Sequence, residues 1–412
     1  MTEVVVTGTG TAVDGLRGPA DLLEPYRRHD DGFDPETGLL GKHLRHRDRA
    51  SRLASRAAEA ALIDAGLLGE NRSYLGESER TATVVSTNLG NLDSICAFLD
   101  TIAEEDAEAL NPTALPNTSS NVTGGWIAIE HGFRAPNLTV SNGPTSGLDA
   151  LHWARRLIRS GRADTVVVTG VEPDNRYVRK LLNDNDEPQW PDAAAAVVVE
   201  SAAAADRRGA RVRLALGEYR RGGDVDAAVA VLPADDSAIL LAEKGSQTGE
   251  VIDLAAWAGR QSGALGVLQC VAAGAALNGG DGTALAVSCR LPGAVAAAMV
   301  FTGPRHTIRK EKRDNVIENE VAEPTQVTVP APVEEPELGE LRTLVARVLE
   351  VDVAELTDDA HLTKDLGVDS LMLLEVSAQI RRRYGVRLTD AAITKVQSLA
   401  EIHDMVRNGR KG

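Results

Sequence analysis

Cysteine is scarce in this 412-residue chain, and the three present, Cys96, Cys270 and Cys289, stand far apart. None pairs at metal-ligand spacing, which excludes a zinc finger and a disulfide framework. No apolar run reaches the length of a membrane span. The opening, MTEVVVTGTGTAV, has no basic leader and enters a strand directly, so a cytoplasmic protein is expected. Asn-x-Ser/Thr triplets at Asn117, Asn121 and Asn137 are accordingly chance matches. Positive charge is in deficit: the net charge is −16, which argues against nucleic acid and anionic membrane as partners. Histidine is missing between His152 and His306, so no imidazole serves any chemistry in that stretch.

What is present is a globular composition, 43% hydrophobic, long enough for two or three domains. From residue 3 to about 305, short Val/Leu/Ala-rich runs such as EVVVTGTG, TATVVSTN, DTVVVTG and AAAAVVVE alternate with helical stretches. Strands without polar alternation, separated by helices, predict an α/β fold with a sheet covered on both faces. TGTGTAV lacks the third glycine of a dinucleotide fingerprint, Val13 standing in its place. Residues 306–336 are charged, then rich in Pro, Val and Glu, which is linker composition with a reach on the order of 30 Å. From 337 to 412 the pattern is a small helical bundle. Its first helix carries Leu338, Leu341, Leu344, Val345 and Val348 on one side, and its last lies near VQSLAEIHDMVRN.

Two stretches carry chemistry. TVSNGPTSGLDALHWARRLI, residues 139–158, reads as a strand, a tight turn and a helix, an elbow of the kind that lifts a nucleophile out of a sheet. Its tip is Pro144, which offers no nucleophile and no backbone N–H. Thr145 and Ser146 stand beside it, with no general base evident in the sequence. The second stretch is DLGVDSLMLLEV. Ser370 there opens a helix, where free N–H groups favour a phosphodiester, although Asp369 and Ser370 would also cap a helix. Leu371, Leu374 and Ala378 follow one helical face, while Leu373, Val376, Ile380 and Tyr384 follow another. One stripe serves the core and leaves the other as an apolar docking edge.

DLGVDSLMLLEV closely resembles the attachment motif of acyl carrier proteins. That resemblance implies a four-helix carrier bundle with 4'-phosphopantetheine, covalently attached to Ser370, as its cofactor. It also implies docking through Asp369, Leu371, Leu374 and Ala378. The triplet Arg381, Arg382 and Arg383 departs from an acidic docking helix.

Residues 1–305 resemble the ketosynthases of the thiolase superfamily. The resemblance is carried by ALPNTSSNVTGGWIAIEHGFRAPNLTVSNGPTSGLDALHWARRLIRSGRADTVVVTGVE and by AAWAGRQSGALGVLQCVAAGAAL. It implies a thiolase-like layered fold with a shortened second half. On the family pattern the nucleophilic cysteine falls on Pro144, one histidine on Arg260, and the other nearest Lys244, so all three are vestigial. Gly263, Ala264 and Gly266 keep the pattern. Decarboxylative condensation needs a thiolate and imidazoles, so a non-catalytic subunit is expected, like the chain-length factors of type II polyketide synthases.

The expected function follows. This would be a chain-length-factor-like subunit with a tethered carrier domain, pairing with an active ketosynthase in polyketide or fatty-acid-like biosynthesis. Residues 112–160 would form much of that hetero-oligomeric interface. Further partners would be a phosphopantetheinyl transferase and an acyl- or malonyl-loading enzyme. Two alternatives stay open: a carrier scaffold that recruits trans-acting enzymes, and a decarboxylase or acyltransferase using Arg260 or a hydroxyl. No metal is implied.

Overall fold

The computed structural model describes residues 2–304 except 42–43, 45–46, 108–109, 111, 183–190, 231, 233–237, 243–250, 260–261 and 290–294. Towards the C-terminus it describes 338–349, 399–408 and scattered residues between them. Two compact units divide at Asn319/Glu320. That point lies inside the stretch 306–336 read as linker, which is itself outside the described residues.

The first unit begins with β1 (Val4–Val13), α1 (Pro35–Gly38) and α2 (Arg49–Asp64). β2 (Thr81–Ser86), α3 (Leu92–Glu104), α4 (Val122–His131) and β3 (Asn137–Val140) follow. Next come α5 (Ser146–Arg159), β4 (Thr165–Glu172), α6 (Arg176–Leu181) and β5 (Ala193–Ser201). A second series holds α7 (Ala202–Arg207), β6 (Leu214–Gly222), α8 (Val225–Val229) and β7 (Ile239–Leu241). It ends with α9 (Ala255–Ala258), α10 (Leu265–Leu277), β8 (Thr283–Cys289) and β9 (Ala296–Thr302).

Among the described residues the strands form one nine-stranded sheet, ordered β3-β2-β4-β5-β1-β6-β9-β8-β7. The order contains an internal repeat. Outwards from the antiparallel β1–β6 junction, β1, β5, β4, β2 on one side match β6, β9, β8, β7 on the other. The pairings correspond in sense: β1–β5 and β6–β9 are antiparallel, β4–β5 and β8–β9 antiparallel, β2–β4 and β7–β8 parallel. Among the described residues, β3 is matched in the second half only by a single parallel bridge outside β7, Leu240 with Val251.

Three apolar layers hold the repeat together. α2 and α4 cover the outer face of the first half, where Leu53, Ala57, Ala61 and Ile127 pack on Val85, Val167 and Val198. A middle layer joins α5 and α10 to strands of both halves, from Val84 and Val168 to Ala284 and Phe301. α8 covers the outer face of the second half with Ala228 against Val287 and Val300. α2 starts cleanly because the Asp48 carboxylate accepts the Ser51 N–H at 2.8 Å, an N-cap, and its small alanine face allows close approach to β1. β1 runs unbroken through both glycines of TGTGTAV, so no phosphate-binding turn forms there.

The second unit contains α11 (Leu338–Leu349) and α12 (Leu399–Asn408). Its core is Leu341, Val345, Leu349, Leu373, Val376, Ile380, Tyr384, Ile402 and Val406. The Leu373–Tyr384 stripe read from the sequence is therefore buried. Among the described residues, no helix in either unit is long and apolar enough to cross a membrane.

Candidate functional site: a filled elbow

The strand-turn-helix reading of residues 139–158 holds. β3 ends at Val140, a 3-10 turn spans Gly143–Thr145, and α5 starts at Ser146. The bend is made by Gly143, whose φ of 69° is left-handed and costs glycine nothing. Pro144 follows in the turn and is buried, as are Thr145 and Ser146.

The donors that an elbow normally offers to a ligand are used internally. The Asn142 N–H donates to Ser146 Oγ at 2.7 Å, and the Gly143 N–H donates to Asn88 Oδ1 at 3.0 Å. Pro144 has no N–H, and the Ser146 N–H closes the 3-10 turn on Gly143 O. Asn88 Nδ2 also donates to Gly143 O at 3.0 Å, so one side chain grips the turn from both sides. An oxyanion hole requires N–H groups aimed at empty space. These point into the protein.

Beneath the elbow lies Asp149, one helical turn beyond Thr145 and buried. Its Oδ2 accepts from Thr145 Oγ1 at 2.9 Å and from Asn142 Nδ2 at 2.8 Å, and its Oδ1 accepts a short hydrogen bond from the Tyr219 hydroxyl on β6. The Arg221 guanidinium stands 3.8 Å away. Thr145 thus has a carboxylate partner, contrary to the expectation from sequence. It does not become a nucleophile on that account, because Thr145 is 1% exposed and Ser146 is fully buried. Burial and the Asp149 charge push the Tyr219 phenol upwards and keep it a donor. His152 stacks on Tyr219 with ring centroids 4.3 Å apart, and burial holds its pKa down at about 3, helped by Arg156, Arg155 and Arg159. The one histidine on the elbow helix is neutral.

Behind the elbow, Glu172 at the end of β4 is a second organising carboxyl. It accepts from Leu89 N at 2.7 Å, Gly263 N at 2.8 Å, Asn88 N at 3.1 Å and Thr87 Oγ1 at 3.3 Å. Burial pushes its pKa up to about 7 against the pull of those backbone donors. Glu172 fixes the Asn88 loop, which fixes the turn, and it brings the Gly263 segment to the same place. α5 and α10 meet end to end there. A Cβ on Gly147 would stand 2.6 Å from Gly266 N, and one on Gly266 would stand 2.3 Å from Leu148 N. Each glycine is the second residue of its helix, as the internal repeat requires.

Pro144 is thus located at the elbow tip, and Gly263, Ala264 and Gly266 come beside it. Arg260 and Lys244 lie outside the described residues, as do Asp369, Ser370, Leu371, Leu374 and Ala378. Cys270 is fully buried in α10 and burial raises its thiol; Cys96 and Cys289 are half-buried. No cluster of His, Cys, Asp and Glu suited to a metal occurs among the described residues. Sequence reasoning missed Asn88, Asp149, Glu172 and Tyr219. Only Asp149 left a trace there, at i+4 from Thr145. A cleft of about 360 Å3 lies elsewhere, between α1 and the start of α2. Of its three arginines, Arg47 pairs with Glu130 and Arg49 with Asp192, while Arg52 donates to the Arg47 carbonyl.

Comparison with known proteins agrees with this architecture. Residues 15–178 match the family described as beta-ketoacyl synthase, N-terminal domain, and residues 339–406 match phosphopantetheine attachment site. Polyketide-8 synthase acyl carrier protein 2 of Streptomyces avermitilis is 49% identical over 67 residues, which is 16% of this chain and 77% of that protein. The 3-oxoacyl-(acyl-carrier-protein) synthase 2 of Vibrio cholerae is 27% identical over 215 residues, 47% of this chain and 51% of that protein. The chain spans about half the length of the ketosynthase relatives it matches. Among solved structures, the ishigamide ketosynthase/chain length factor aligns at a TM-score of 0.57 with 21% identity, over 73% of this chain and 99% of that one. A type II polyketide ketosynthase complexed with its acyl carrier protein aligns at 0.60 with 17% identity, over 74% and 100%. The C-terminal domain belongs to the acyl carrier protein family, and it follows a large domain of ketosynthase type with a thiolase-like fold. The prosthetic group of that carrier domain is covalently attached 4'-phosphopantetheine.

Proposed function

We propose that the large domain is a non-catalytic, chain-length-factor-like subunit that pairs with an active ketosynthase, while the tethered carrier domain holds the acyl intermediate. One observation carries this reading. Pro144, which the family pattern aligns in this reading with the nucleophile, is buried in a turn whose neighbouring N–H groups are spent on Asn88 and Ser146. The histidine-free stretch between residues 152 and 306 supports it, since no imidazole stands ready to stabilise an enolate.

The pairing surface of this reading is residues 112–160. β3, an edge of the sheet, carries no charged residue and no proline over its four positions. Open, uncharged edges invite another strand. Ile129 on the neighbouring helix α4 is 73% exposed.

Ser370 is the attachment residue in this reading, its hydroxyl being esterified by the phosphate of the arm. The group supplies a flexible thiol that carries acyl chains. Asp369, Leu371, Leu374 and Ala378 form the docking edge, and the stretch 306–336 acts as the tether. Two experiments test the proposal. Incubation with coenzyme A and a phosphopantetheinyl transferase adds one arm, and Ser370→Ala abolishes it; modification elsewhere defeats the assignment. Co-expression with a cysteine-bearing ketosynthase yields a stable complex, with amide exchange slowed over 112–160. A stable monomer with fast exchange there, partner present or not, favours the scaffold alternative.

A further inference from the structure

We infer that α3 is a docking ridge for a subunit other than a copy of this chain, one presenting an apolar groove rimmed by lysine or arginine. The inference rests on the pairing reading above and adds a surface outside residues 112–160, together with the charge of what covers it.

α3 differs from the other long helices of its unit. α2, α5 and α10 each bury a full face, whereas α3 has no fully buried residue along its thirteen positions. Its outer stripe is nevertheless apolar. Ile95 is 37% exposed, Leu99 60% and Ile102 45%, at the i, i+4, i+7 spacing of one helical face. Leu115 in the adjoining 3-10 turn Pro112–Thr118 is 56% exposed. This ridge is continuous with the proposed pairing surface. Asn91 Nδ2 donates to Thr118 O at 2.9 Å, and Trp126 Nε1 on α4 donates to Asn117 Oδ1 at 3.2 Å. Grouped apolar side chains beside an open sheet edge are the signature of a surface that is covered in the assembly.

The charge around the ridge selects the occupant. Residues 92–106 hold five carboxylates and no lysine or arginine. Asp93 lies in the first turn, and Asp100 is engaged by Arg176 at 3.1 Å and by the Tyr177 hydroxyl at 2.5 Å. Glu104, Glu105 and Asp106 are exposed at the C-terminal end, where the helix dipole favours cations and no basic residue stands in the last turn. The arrangement is unfavourable for the isolated helix and favourable against a basic rim. A second copy docking through the same face would offer carboxylates to carboxylates in any register, which isologous pairing does not tolerate. The partner is therefore heterologous and basic.

The test uses the full chain co-expressed with an active ketosynthase, with affinity measured at low and high salt. The double variant Glu104→Lys/Glu105→Lys and the single variant Leu99→Asp each weaken the complex about tenfold or more. Wild-type affinity falls with salt, and the double variant loses that dependence. Because Leu99, Glu104 and Glu105 are exposed, thermal unfolding of these variants stays at the wild-type value, so lost binding is not lost folding. A wild type that binds the ketosynthase with variants of equal affinity overturns this inference and leaves the pairing reading standing. A wild type that binds no ketosynthase overturns both. A Leu99→Cys variant that forms disulfide-linked homodimers efficiently overturns the exclusion of a second copy.

Discussion

The two halves of the internal repeat differ most at one edge, where the first half has the strand β3 and the second a single bridge, and that strand adjoins the elbow. In the first half β3 leads into the Gly143–Thr145 turn and α5; in the second, its place beyond β7 is taken, among the described residues, by the single parallel bridge of Val251 to Leu240. The halves still share their packing, down to the paired glycines at the tips of α5 and α10. Architecture was retained where the halves support each other. The first half kept an edge strand, an apolar ridge and an elbow turned inwards on its own donors. Such a division fits a molecule whose value lies in its surface.

The sharpest way to break this comparison is at the helix tips. Gly266→Val would drive side-chain atoms into the backbone of Gly147 and Leu148, closer than van der Waals contact allows. Loss of more than about 4 kcal/mol is expected, which shows as insoluble or unfolded large domain. Gly274→Ala in the same helix is the control. A Cβ there meets Leu214 at 3.7 Å, an ordinary contact, and helix propensity makes the change neutral or stabilising by about 0.5 kcal/mol. Equal melting of both variants would mean the two tips do not meet as described.

Next in size is Asp149. Asp149→Ala strands the Tyr219 hydroxyl, the Thr145 hydroxyl and the Asn142 amide in a buried space. A cost of about 3 kcal/mol is expected by urea unfolding. Tyr219→Phe removes only one donor and costs about 1 kcal/mol. If the two variants are equally stable, Asp149 acts through its link to β6 alone and does not hold the elbow through Thr145 and Asn142.

This difference also marks what was legible in the sequence. Val- and Ala-rich runs announced most strands, and helical spacing announced α2, α5, α10 and the Leu373–Tyr384 core stripe. Those signals are local. Asp149 and Tyr219 stand seventy residues apart, and Glu172 meets Gly263 across ninety-one. Such partners are set by topology, which local periodicity does not encode. α3 misleads in the opposite direction: its amphipathic pattern is that of a core helix, yet its apolar stripe faces outwards. Sequence periodicity marks a face to be covered without saying whether the same chain covers it.

Glu172 sharpens the comparison through pH. Its carboxyl is raised in the folded protein, from an ordinary 4.5 to about 7, chiefly by burial. A group raised on folding contributes stability that is complete below its unfolded pKa and is lost as pH rises through the folded one. Unfolding free energy of the large domain should therefore fall between pH 4.5 and pH 7, by up to about 3 kcal/mol. Asp48, raised to about 6 by burial, adds to the same trend. Glu172→Gln should flatten most of the slope. A urea midpoint that climbs with pH across this window would show that the backbone donors keep Glu172 ionised throughout.

The smallest expected effect is at the elbow tip. Pro144→Cys places a thiol and a backbone N–H at the position proposed to correspond to the family's nucleophile. The variant should remain folded, within about 1 kcal/mol of wild type, the loss arising from a freer unfolded chain. Activity should not follow. The side chain at this position is buried, the Gly143 N–H stays on Asn88, and His152 is neutral and stacked on Tyr219. No other histidine lies between residues 152 and 306, so that stretch supplies no imidazole to activate the thiol or to stabilise an enolate. The measurement is alkylation by iodoacetamide together with chain extension from an acyl thioester and a malonyl-loaded carrier. Slow alkylation and no extension are expected. Extension by this variant alone would mean that the second half still holds a working acid-base group, and the proposed loss of function would then reduce to one residue.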